Sequence, residues 1–149
     1  MLQRIQTVYL LIVAILSAVL MTSTMGRFIC PDNSIIEMTN LALVNGEGVE
    51  NYEPWALFAI QLLSAIVSIV TIFLYRKRML QIRLTVFNII LAVCYYGTFI
   101  AFVFMLKEDA SFAPAWPVCL PFAGIVLNWL AIRAIGKDEM LVRAYDRLR

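Results

Sequence analysis

The sequence has no histidine among its 149 residues, which removes the commonest general base and the commonest metal ligand together. Charge is scarce as well, at 15% of residues against about 25% in an ordinary soluble domain. The scarcity is uneven. Asp, Glu, Lys and Arg are missing altogether from Ile5 to Gly26, Pro54 to Tyr75, Leu84 to Leu106 and Ala110 to Ile132, stretches of 22, 22, 23 and 23 residues. Proton relays, ion-coupled carriers and voltage sensors depend on charges inside such stretches, so those classes are excluded. Cysteine is limited to Cys30, Cys94 and Cys119, with no Cys-x-x-Cys pair. Quinone-linked disulfide oxidoreductases with four helices need paired reactive thiols, and this chain offers at most the pair Cys30 and Cys119.

What is present is apolar: 62% of residues, with a mean hydropathy of +0.85. A water-soluble globule does not carry that composition. At about 1.5 Å per residue each charge-free stretch reaches roughly 33 Å, enough to cross about 30 Å of hydrocarbon. The reading is an all-α membrane protein, one transmembrane domain over residues 1–149, with spans at about 4–25, 54–75, 84–106 and 114–135. Residues 26–53 form an outer loop and residues 136–149 a tail. The first span reads as an anchor rather than a cleaved signal, because its apolar run exceeds the usual core of about 7–15 residues. A lipid-modified Cys30 is not expected, since Arg27, Phe28 and Ile29 stand where small residues belong.

Sorting the basic residues by segment gives the orientation. Arg4, then Arg76, Lys77, Arg78 and Arg83, then Arg133, Lys137, Arg143, Arg147 and Arg149 make ten of the twelve, all on one side of the four spans. The other side holds Arg27 and Lys107 with seven acids: Asp32, Glu37, Glu47, Glu50, Glu53, Glu108 and Asp109. Both termini are therefore expected on the cytoplasmic side.

In the outer loop, Asn45-Gly46 follows an apolar run, the local signal for a tight turn with positive φ. A small β-hairpin on the helix ends and an irregular covering loop both satisfy it. The connection from Arg76 to Arg83 has no Gly or Pro and reads as a tight helical hairpin. Arg76, Lys77, Arg78 and Arg83 are the candidate contacts for anionic lipid headgroups, each worth about 1 kcal/mol near such a surface; the same charges serve as topology determinants without any specific lipid.

Gln61, Ser64, Ser68 and Thr71 recur at helical spacing in the second span with Ala65 beside them, the pattern of an interhelical seam. A polar conduit is the alternative. The third span is aromatic through Phe87, Tyr95, Tyr96, Phe99, Phe102 and Phe104; packing explains it, and a pocket among Phe87, Tyr95, Phe99 and Asn128 would instead mark a lipid or quinone site. Pro114, Pro117 and Pro121 delay the fourth helix. In the tail, Leu141, Ala144, Tyr145 and Leu148 fall at i, i+3, i+4 and i+7, so a helix there presents one apolar stripe. Those four residues are the candidate interaction surface, with membrane lipid as the competing occupant.

Three segments carry a resemblance: Met1 to Leu10, Ile72 to Leu84, and Ala134 to Arg149. They resemble a family of bacterial four-span membrane proteins known only as a domain of unknown function, and the likeness covers the whole chain. The resemblance implies no activity, cofactor or catalytic residue. Some members carry a transcription-termination label, which this composition does not support: the basic residues flank membrane spans and no nucleic-acid module is present. The function expected is non-enzymatic, an accessory or scaffolding subunit of a larger envelope complex, whose partners are membrane lipids and another membrane protein. A lipid- or quinone-binding enzyme or carrier is the alternative, and a small-solute channel the third reading. No cofactor or metal is expected.

Overall fold

Uninterrupted apolar runs without internal proline favour helices, because the backbone then bonds to itself. The computed structural model describes residues 2–48, 50–106 and 110–149. Its elements run α1 (Leu2–Thr22), β1 (Thr24–Ile29), β2 (Ile35–Thr39), β3 (Leu43–Asn45), β4 (Glu50–Asn51), α2 (Trp55–Phe73), α3 (Arg78–Leu106), β5 (Ser111–Pro114) and α4 (Leu120–Arg147). A single 3-10 turn, Trp116–Cys119, leads into α4. All four helices are long and apolar enough to cross a membrane. Consecutive helices pack against each other and α1 closes the ring on α4. One end of the bundle therefore holds the basic α2–α3 turn and both helical termini; the other end carries the strands.

The strands form one antiparallel sheet in the order β4-β3-β2-β1-β5, so the chain is mainly helical rather than all-α. The expected hairpin exists as β3 and β4, with Val44 opposite Glu50 and Leu43 opposite Asn51. Its turn takes positive φ at Gly48 (φ 79), not at the Asn45-Gly46 pair. Two further strands come from stretches expected in the spans. Thr24 and Met25 leave the first span to begin β1, and Ser111–Pro114 of the fourth stretch pairs with β1, Gly26 facing Pro114 and Ile29 facing Ser111. Apolar composition alone cannot separate a lipid-facing turn of helix from a strand laid on helix ends; the burial of both Met25 and Phe28 in one core, across the bulge between Thr24 and Gly26, does. A Cβ at Gly26 would overlap the Phe112 ring and the Ala113 carbonyl, so glycine allows β5 to approach.

Beneath the sheet, Leu20, Met25, Phe28, Met38, Leu43, Leu57, Tyr95 and Phe99 make one apolar core. The Phe28 and Phe112 rings lie 4.9 Å apart and Phe99 meets Phe112 edge-on at 5.8 Å. The expected aromatic face of α3 is therefore divided. Tyr95 and Phe99 are buried under the sheet, while Phe87 and Phe104 point outward.

Between the helices the usual arrangement is inverted. Gln6, Ser17, Gln61, Ser64, Ser68, Thr71, Gln81, Thr85, Asn88 and Asn128 are buried, whereas Ile5, Leu11, Ile15, Leu62, Ile66, Ile69, Ile90 and Val93 are exposed. The polar stripe of α2 lies in its seam with α3: the Ser64 hydroxyl donates to Asn88 Oδ1 at 2.5 Å, and Asn88 Nδ2 donates to Ser68 Oγ at 2.7 Å. Ser68, Thr71 and Thr85 also donate to carbonyls four residues back, which satisfies each hydroxyl inside its own helix.

Candidate interaction site at the basic end

The turn between α2 and α3 is shorter than the expected connection of residues 76–83. Leu74 N–H bonds the Val70 carbonyl, Lys77 N–H bonds the Leu74 carbonyl, and Gln81 N–H already bonds the Lys77 carbonyl. Helix α3 thus begins at Arg78, six residues before the charge-free stretch. With no glycine or proline in the connection, nothing stops the helical pattern from resuming at once.

Arg78 reaches across to α4. Its Nη2 lies 3.3 Å from Asp138 Oδ2, and its Nη1 donates to the Asp138 carbonyl at 3.5 Å. The Asp138 side chain is only 19% exposed, so this pair is better shielded than an ordinary surface ion pair. One turn on, Arg143 Nη2 pairs with Glu139 Oε1 at 2.7 Å in the i, i+4 relation, with the acid N-terminal to the base as the helix dipole favours. Arg76, Lys77, Arg78, Glu139, Val142 and Arg143 line one groove of about 600 Å³ between the turn and α4. The turn and the tail, two separate candidates in the sequence, are parts of one surface. Arg83 is not among the groove residues; it stands exposed on α3.

Helix α4 passes through Gly136 without a break and ends at Arg147, where Leu148 N–H bonds the Tyr145 carbonyl. Ala131 and Ile135 are fully buried against the bundle. Beyond Glu139 every residue is exposed. Leu141 is 50%, Tyr145 75% and Leu148 86% exposed, and Ala144 is exposed as well. Met140 and Val142 are also exposed, so the apolar surface is wider than the four-residue stripe read from spacing. The partner of Arg78 was missed at the sequence level because Asp138 stands sixty residues away, with no periodic relation to it.

The remaining candidates separate. Phe87, Tyr95, Phe99 and Asn128 do not share a pocket: Tyr95 and Phe99 belong to the core under the sheet, Phe87 faces outward, and Asn128 faces a small cavity between the helices. All three cysteines are free. Replacing Cys30 and Cys119 together by serine is expected to leave abundance and any partner binding within twofold of wild type; loss of function at normal protein level would restore a redox role.

These features define a class: a ring of four helices, each able to cross a membrane, with a small antiparallel sheet on one end and a charged helical projection on the other. The chain belongs to the family described as Domain of unknown function (DUF4293), whose model matches residues 2–148. Comparison with curated proteins gives no match.

Proposed function

We propose that this chain is a bacterial inner-membrane protein with both termini in the cytoplasm, and that it serves as a non-enzymatic accessory or scaffolding subunit of a larger membrane complex. The observation that carries the reading is the projecting end of α4. From Asp138, level with the first residue of α3, the helix continues nine residues to Arg147, about 14 Å, first alongside the α2–α3 turn as far as Arg143 and then past it. Its direction is set by buried Ala131 and Ile135 and by the Arg78–Asp138 pair. A helix that runs on past the basic turn carries Tyr145 and Leu148 away from the hydrocarbon and into water, where exposed apolar side chains call for a protein surface. The partner is a membrane protein or its cytoplasmic extension with an apolar groove that takes one face of a helix. Arg76, Lys77, Arg78 and Arg83 then sit at headgroup level, where anionic lipid helps hold the basic end in place.

Orientation is the first thing to test. Cysteines placed at exposed Asn45 and exposed Lys77 in a cysteine-free background are expected to react with an impermeant thiol reagent in intact cells only at position 45. Labelling at 77 from outside would reverse the topology. It would also put the projecting helix in the wrong compartment for the reading above.

A further inference from the structure

The exposed outer surface of the bundle gives no selective feature, but its interior does. Ser17 of α1, Gln61 and Ser64 of α2, Ala92 of α3, and Gly124 and Asn128 of α4 face one cavity, so all four helices contribute to it. Asn128 is 2% exposed, and its Oδ1 has no hydrogen-bond partner among the described residues. Buried amide oxygens in folded proteins are almost always paired, with protein or with ordered water. The cavity measures about 20 Å³ open to the centre of a water molecule; one water needs about 10–15 Å³ on that scale and two or more polar partners. We propose that this cavity is a binding site for a single water molecule, which donates to Asn128 Oδ1 and joins α4 to the polar groups of Ser17, Gln61 and Ser64.

The consequence reaches the whole bundle. Ser64 already donates to Asn88 of α3, so the water completes a hydrogen-bonded node that touches every helix. The volume holds one water and not a file of them, which separates a structural site from a conduit. Gly124 supplies a selective test, because a Cβ added there meets no atom within 4 Å while the residue itself lines the cavity. A methyl group at that position takes up the space of the water without a clash. Gly97 and Gly136 also have open space for a Cβ and do not line the cavity, so alanine there reproduces the helix-propensity gain alone.

The experiment uses the full chain in lipid nanodiscs, with solvent water as the probe and magnetisation transfer from water to the side-chain amides of Asn128 and Gln61 as the readout. A cross-relaxation peak of a long-lived water is expected in wild type and undiminished in Gly97→Ala and Gly136→Ala. In Gly124→Ala it is expected to fall at least fivefold. Asn128→Leu, read at the Gln61 amide, gives the same loss by removing the acceptor, and serves if Gly124→Ala does not fold. A wild-type spectrum without the peak, or a peak of full intensity in the folded Gly124→Ala or Asn128→Leu variant, overturns the site.

Discussion

Removing residues 140–149 is expected to leave the four helices and the sheet folded while the chain loses its larger assembly in mild detergent. The truncation stops after Asp138 and Glu139, so the Arg78–Asp138 pair and the packing of Ala131 and Ile135 are kept. What it removes is Leu141, Tyr145 and Leu148, all at least half exposed. Burying side chains of this size against a partner stabilises by about 1.5–3 kcal/mol each. Losing them together weakens binding by at least about a thousandfold, since 1.4 kcal/mol is a factor of ten. Tyr145→Ala alone is expected to cost about tenfold or more, as tyrosines at the centre of an interface often do. Blue-native electrophoresis or size-exclusion chromatography of the native chain and its variants reads the result. If the truncated chain migrates with its full assembly, the interaction surface lies on the helices or the sheet. If truncation changes only which lipids copurify, the end of α4 is a membrane contact.

The second large effect lies at the opposite end. Tyr95 Oη donates to Asn40 Oδ1, and Asn40 Nδ2 donates to the Leu20 carbonyl in the last turn of α1. Asn40 and Tyr95 have no exposed surface and Leu20 has 1%. One amide thus ties the β2–β3 turn to α3 and to the end of α1, where the Leu20 carbonyl also accepts the Ser23 N–H at 3.2 Å. Asn40→Ala strands the phenol, at about 1–3 kcal/mol, and removes one of the two bonds to the Leu20 carbonyl, at about 0.5–1.5 kcal/mol. The expected destabilisation is about 1.5–4.5 kcal/mol, against about 1–3 kcal/mol for Tyr95→Phe, which removes one bond. Thermal unfolding in detergent gives the order, and hydrogen exchange is expected to rise first in β1 and β2. An Asn40→Ala chain within about 0.5 kcal/mol of wild type would mean that the bridge carries no stability.

How much of this was legible beforehand divides along physical lines. The four charge-free stretches and the spacing of Gln61, Ser64, Ser68 and Thr71 are local or compositional properties, and each leads to a helix or a seam without knowledge of the fold. The Asn45-Gly46 signal located a hairpin but misplaced its positive φ by two residues, because the turn accommodates Gly48 equally well. The proline cluster placed the late start of α4, and the i, i+3, i+4, i+7 stripe lay on a helix that does exist.

Tertiary structure decided what depends on contacts distant in sequence. The strand β5 exists because the Phe112 ring packs against Phe28 and edge-on against Phe99, and Gly26 lets the two strands close; nothing in the sequence 111–114 sets it apart from the apolar span that follows. Arg78 finds Asp138 only when α3 and α4 are antiparallel and in register, and that pairing fuses the turn and the tail into one surface. Asn40 reads as an ordinary loop residue until its amide meets Tyr95 and Leu20. Composition and periodicity report how single elements partition between water and an apolar medium, so by itself the sequence determined four helices able to span a membrane and a charge asymmetry between their ends. Which polar groups meet between those elements is set by register and helix rotation, and these emerge only when the bundle packs.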